Sequence, residues 1–278
     1  MKRLLKFEVI KLMHRPRTFL SIGFMAILVL LIFWGIKSEG VKTLDYLLKA
    51  FGKNFFINGN ILNGYLVIYF ILNTLWIHVP ILIVIVTGDL FSSELEEGTI
   101  RLVVSRPLQR YKLVMTKHIT AVFFVLLFML FWALFAIWPG FLLFGKGDLV
   151  VIFNGVQILE EKELLWRFIP AFIYAFLGMS SFAIFSVAVS FFARRSLITI
   201  LISLGVLVVS TLLQTLGASL FKGWESFLIT YHLSQWQLFF YTDLAWNTIL
   251  NSVICLLGFS FVCIIASLVR FNYLKITE

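Results

Sequence analysis

Long stretches of this sequence carry no charge at all. No Asp, Glu, Lys or Arg occurs between Arg17 and Lys37, Lys53 and Asp89, Lys117 and Lys146, Arg167 and Arg194, Arg195 and Lys222, or Asp243 and Arg270. Only 13% of the 278 residues are charged and 61% are hydrophobic, against about 45–50% apolar in an ordinary globular chain. With a mean hydropathy of +1.00, a single water-soluble core is excluded. Each gap meets the roughly 20 apolar residues that carry a helix across about 30 Å of hydrocarbon. The expected fold is an all-α integral membrane domain over residues 1–278, with six spans near 18–36, 65–88, 117–140, 167–193, 197–219 and 246–269.

Residues that carry chemistry are equally scarce. The two cysteines, Cys255 and Cys263, share the last span, about 12 Å of helix rise apart, and cannot bridge within it. His14, His78, His118 and His232 are scattered, without paired metal-ligand spacing. GFLLFGKG (140–147) has the G-x-x-x-x-G-K spacing of a phosphate loop, but Gly147 stands where a hydroxyl must reach Mg²⁺; the match is chance. Gly88-Asp89 is half of an intramembrane aspartyl protease site, and no second membrane Asp shares the proton. Asp89 reads as a polar residue at a span's end. The chain is expected to be non-catalytic and to hold no metal or cofactor of its own. His78 and Pro80 mark a candidate kink, the imidazole filling the carbonyl that proline frees. All six spans, as bounded by the charge gaps, lack an ionisable residue, which argues against an ion-coupled carrier.

What charge there is lies asymmetrically. The N-terminus, the 89–117 loop, Arg194–Arg195 and the C-terminal tail hold 15 of the 23 basic residues and 6 of the 14 acids. The net charge of +9 therefore sits on that side, which the positive-inside rule makes cytoplasmic, with both termini inside. The excess suits anionic lipid heads; no basic–aromatic groove for nucleic acid is present. The N-terminal apolar run is too long, and lacks the small-residue cleavage site, for a secretory signal.

Between the spans, residues 2–14 form an imperfect amphipathic helix for the cytoplasmic interface. Leu5, Val9 and Leu12 share one face, and Phe7 and Ile10 break the pattern. Leu44, Leu47, Leu48 and Phe51 recur at helical spacing on a separate surface helix, followed by an Asn/Gly-rich connector at 54–64. Residues 150–159 read as a hairpin around Asn154-Gly155. Residues 220–245, with Trp224, Tyr231, Trp236 and Tyr241, suit an outer interface or a re-entrant segment.

The densest polar stretch is SSELEEGTIRLVVSRP, residues 92–107. It reads as helix, break, short helix, break, helix. Gly98 suits a left-handed helix end, Thr99 an N-cap, and Pro107 the start of the next helix. The result is a compact elbow between spans two and three. The run Ser93-Glu94-x-Glu96-Glu97-Gly98-Thr99-x-Arg101-x-x-x-Ser105-Arg106-Pro107 resembles the loop between the second and third helices of ABC-2 type permeases, the membrane subunits of ATP-binding-cassette exporters. Glu8, Lys11, Leu12 and Arg15 to Thr18 are similar to that family's N-terminal opening. Gln109 departs from the small capping residue expected before Arg110.

The resemblance implies that the elbow is a coupling helix seated on a separate ATPase. Its contact residues would be Glu94, Glu96, Glu97, Gly98, Thr99 and Arg101, with Ser105, Arg106 and Pro107 shaping the return. It further implies an exporter of a prokaryotic plasma membrane, built from a permease dimer (two copies, or this chain and a relative) with two ATPase subunits that hold the ATP and Mg. The alternative is a scaffold that relays ATPase motion to an extracytoplasmic partner without passing a substrate. The apolar spans are compatible with lipids, peptides or other amphiphiles as cargo.

Overall fold

Eleven α-helices and one β-hairpin make up the described residues of the computed structural model, which are 2–50, 62–104, 109–152, 156–216 and 223–274. Six helical segments are long and apolar enough to cross a membrane: Pro16–Gly40, His78–Glu96, Arg110–Phe144, Glu161–Phe192, Ser196–Leu216 and Trp246–Tyr273. The chain is thus an integral membrane protein by length and composition of its helices.

Helix α1 (Lys2–Met13) leads through a corner at Arg15 into α2 (Pro16–Ala50). Proline at the first helical position loses nothing, since that N–H has no intrahelical partner. The separate surface helix expected around Leu44 is instead a continuation of α2 to Ala50. No glycine or proline interrupts the run after Gly40. Phe51 and most of the 54–64 connector fall outside the described residues.

The second span bends beside Pro80, as expected, and runs on past residue 88. It consists of α3 (Gly64–Leu75), α4 (His78–Thr87) and α5 (Asp89–Glu96). The break falls at Trp76–Ile77, before Pro80, because Pro80 sits in the first turn of α4, where a missing N–H is tolerated. His78 Nδ1 is buried with no hydrogen-bond partner among the described residues, so the ring does not fill the freed carbonyl through that nitrogen. The break is braced from another element: Trp236 lies against Trp76, ring centroids 5.1 Å apart, and Gln237 Nε2 donates to Asn73 Oδ1 at 2.6 Å.

After the elbow helix α6 (Ile100–Val104) come α7 (Arg110–Phe144) and the antiparallel pair β1 (Leu149–Ile152) and β2 (Val156–Leu159). The strands are where the hairpin was expected; its Asn154-Gly155 turn lies outside the described residues. Then follow α8 (Glu161–Phe192), α9 (Ser196–Leu216), α10 (Ile229–Ser234) and α11 (Trp246–Tyr273). Helix α8 is the hub, packing against α4, α5, α7, α9 and α11. The second span is buried over 78% of its most apolar stretch, against 22% for α2 and 28% for both α9 and α11. Those three form the rim.

The segment before α11 enters the bundle. Trp236, Phe239 and Phe240 are buried, and Arg167 Nη1 donates to the carbonyls of Phe239 (3.2 Å) and Tyr241 (2.5 Å). The eight tryptophans divide accordingly. Trp138, Trp166 and Trp246 are exposed near the ends of their helices away from the elbow, Trp34 past the middle of α2 and Trp224 in the segment before α10, as in an interfacial aromatic belt. Trp132 and Trp236 are buried and Trp76 partly so, around a small pocket that Ala171 and Ala175 also line.

Candidate functional site

At the opposite end of the bundle, α1 lies against the root of the elbow. Its inward face holds Leu5, Glu8, Val9 and Leu12 at the i, i+3, i+4, i+7 spacing of one helical stripe, with Glu8 and Leu12 fully buried. A carboxylate in that stripe requires a partner. It is Lys117 on α7, whose side chain has no exposed surface and whose Nζ lies 2.8 Å from Glu8 Oε2. The same ammonium reaches Glu94 Oε1 of α5 at 2.6 Å, and Lys11 of α1 meets that oxygen from the other side, also at 2.6 Å. Two carboxylates and two ammonium groups thus alternate across three helices with formal charges balanced. Glu94 Oε2 is buried without a partner.

A second cluster joins the α1–α2 corner to the start of α9. Asp89 is buried between Arg15 (Nη1 to Oδ2, 3.1 Å) and Arg17 (3.0 Å). It also accepts a short hydrogen bond from the Ser196 hydroxyl. Arg15 Nη2 donates to Ser93 Oγ at 3.0 Å, Arg17 Nη1 to Ser196 Oγ at 3.1 Å, and the Ser196 N–H to Glu96 Oε2 at 3.0 Å.

These clusters overturn the reading of an interior without charge. Asp89 and Glu94 lie within the second candidate span, and Lys117 lies in α7. Charge gaps bound a span by its first charge, so they hide charges that turn inward at the span's end and pair across helices.

The elbow grows from this root. Helix α5 closes with Glu97 N–H to Ser93 O (2.9 Å) and Gly98 N–H to Leu95 O (3.2 Å), and Gly98 takes φ +70, the left-handed conformation that glycine adopts without strain. The Thr99 hydroxyl points back to the Glu94 carbonyl at 3.5 Å, while its own carbonyl accepts the Leu102 N–H at 3.1 Å. Ile100 is buried and anchors α6; Glu96, Glu97 and Arg101 are exposed. Ser105, Arg106 and Pro107 lie outside the described residues. Helix α7 then begins at Arg110 with no side-chain bond from Gln109. Arg110 donates to the Phe271 and Asn272 carbonyls, 3.2 and 2.7 Å, capping the end of α11. Beneath, Phe91, Phe191 and Phe271 form one aromatic cluster with centroids 4.0 to 5.8 Å apart.

Of the residues singled out in the elbow, then, Glu94 faces into the junction, Glu96 turns toward Ser196, and Glu97 and Arg101 face out. Glu8 and Lys117 had not been recognised as a buried pair. Each is a charged residue set in an apolar helical stripe: Glu8 between Leu5 and Leu12, Lys117 between Leu113 and Ala121. That was the available signal. Among the described residues no group of three His, Cys, Asp or Glu side chains converges as metal ligands.

Among curated proteins, no match to the chain was found. A family model described as "Protein of unknown function (DUF2705)" matches residues 23–274. That match takes in Asp89, Glu94 and Lys117 and begins after Glu8, Lys11 and Arg15. By that near full-length match, the chain belongs to the DUF2705 family.

Proposed function

We propose that this chain is the membrane subunit of an ATP-driven exporter of the ABC-2 type, and that a separate ATPase seats on the elbow. One observation carries the reading. The two segments whose sequences are similar to that family, 8–18 and 89–117, are far apart in the chain and bonded together in the fold, through Lys11–Glu94, Arg15–Asp89 and Arg15–Ser93. A force on the exposed face at Glu97 and Arg101 would pass through this root into α1, α2, α7 and α9, a rigid element suited to two positions. The basic excess of this end supports a cytoplasmic placement, where an ATPase has its nucleotide.

On this reading the chain hydrolyses nothing, works as a dimer with itself or a relative, and binds two ATPase subunits. The scaffold alternative draws on exposed Trp224 and Phe227 in the segment at the other end. Reconstitution of the purified chain with its ATPase in proteoliposomes separates the two. ATP-dependent flux of an amphiphile supports the exporter; hydrolysis stimulated by the chain without flux supports the relay. No effect of the chain on hydrolysis removes both.

A further inference from the structure

Three candidate spans have ends beside one another, at Pro16, Glu96 and Ser196. All three residues line a single groove of about 440 Å³ between the α1–α2 corner and α5. Helices that leave the hydrocarbon together place what lies between their ends at headgroup depth. The groove is lined by charges of both signs, Lys11, Arg15 and Arg17 with Asp89, Glu96 and Glu97. Among the described residues Arg17 meets Asp89 and Ser196 through Nη1 alone, on a side chain 45% exposed. Lys11 meets Glu94 there and has two further N–H donors. Beside Arg17, Glu96 holds the Ser196 N–H through Oε2, and its Oε1 has no ion-pair partner among the described residues. Just inside the membrane, Phe19 and Leu20 of α2 and Leu197 and Ile198 of α9 are exposed.

We propose that this groove binds an amine-bearing zwitterionic phospholipid, of the phosphatidylethanolamine class. The lipid phosphate lies on Arg17 and Lys11, its ammonium donates to Glu96, and its acyl chains run over the apolar first turns of α2 and α9. The basic groups alone are what any inward-facing membrane end carries. The exposed carboxylate of Glu96 beside them is the distinguishing feature. It repels a purely anionic headgroup, and it rewards an N–H donor that choline lacks, since charge-assisted hydrogen bonds are roughly twice as strong as neutral ones.

The test is lipid retention by the full-length chain, read by native mass spectrometry after extraction from nanodiscs holding equal phosphatidylethanolamine, phosphatidylcholine and phosphatidylglycerol. Wild type is expected to retain phosphatidylethanolamine over phosphatidylcholine on the order of tenfold. Glu96→Gln, which keeps an acceptor for the Ser196 N–H, is expected to bring the ratio near one. The wild-type comparison stands without any variant. Equal retention of the three lipids, preference for phosphatidylglycerol, a ratio unchanged in Glu96→Gln, or full displacement by soluble glycerophosphoethanolamine overturns the proposal. None of these outcomes depends on an ATPase partner.

Discussion

Lys117 Nζ stands 2.6 Å from Glu94 Oε1, joining the foot of α7 to the last turn of the second span with no exposed surface on the lysine. Glu8 completes the set from α1. Removing one partner of a buried ion pair leaves an uncompensated charge, which costs about 3–5 kcal/mol, whereas apolar or neutral replacement of the whole set is often neutral. Lys117→Met is therefore expected to lower the thermal unfolding midpoint in detergent sharply. The combination of Lys117→Met with Glu8→Gln and Glu94→Gln is expected to recover most of the loss. A triple variant as unstable as the single one would show that packing, not charge, governs the junction.

Glu97 and Glu94 are three residues apart and face opposite ways, one exposed and one buried. Glu97 is exposed on the elbow, so Glu97→Arg is expected to fold normally and to lose ATP-dependent flux while the ATPase still hydrolyses. Glu94→Arg puts a third cation beside Lys11 and Lys117 and is expected to reduce the yield of folded protein. Normal flux by Glu97→Arg would remove this position from the coupling face.

A separate stability prediction concerns the other end of the bundle. A Cβ on Gly64 would lie 2.6 Å from the Gly145 carbonyl oxygen and 2.8 Å from Phe141 Cδ1, while one on Gly205 meets nothing within 4 Å. Gly64→Ala is expected to destabilise by about 1–3 kcal/mol, as overpacking does. Gly205→Ala, on the open face of α9, serves as the control and is expected to be neutral or slightly stabilising. Parallel thermal melts of the two variants decide the point.

The Ser196 hydroxyl, bonded to Asp89, with Arg17 donating to it, ties the rim helix α9 to the α1–α2 corner. Ser196→Ala is expected to speed hydrogen exchange in the first turn of α9 and around Arg15–Thr18 together, leaving the hairpin β1–β2 unaffected. Faster exchange in α9 alone would mean that the corner is held by other contacts.

Much of this architecture can be read from local features. The charge gaps locate five of the spans on apolar helices, with ends up to seven residues from those of the candidate spans, because lipid requires apolar length before anything else. Gly98 announces the end of α5, since glycine is the residue that enters the left-handed region without strain. The Asn154-Gly155 pair, which tolerates a type I′ turn, announces strands β1 and β2. What escapes a sequence reading depends on distant partners. Pro80 announces the break at Trp76–Ile77, where it leaves the Trp76 carbonyl without an N–H, but not that the break is braced by Trp236 and Gln237, which lie in another element. Glu8 and Lys117 are 109 positions apart, and each alone resembles an ordinary interfacial charge. Periodicity shows that each sits in an apolar stripe, but only the fold shows that the stripes face each other.

The account rests on force entering through the elbow, and site-directed crosslinking tests that contact most directly. Glu97→Cys and Arg101→Cys would be placed in a chain whose Cys255 and Cys263 are replaced by serine. Trp224→Cys at the far end would serve as the comparison. The account predicts that positions 97 and 101 crosslink to a co-purifying P-loop ATPase and resist a membrane-impermeant thiol reagent in intact cells, while position 224 does the reverse. Labelling of 97 and 101 from outside the cell, or an ATPase that binds without crosslinking to either, would contradict it.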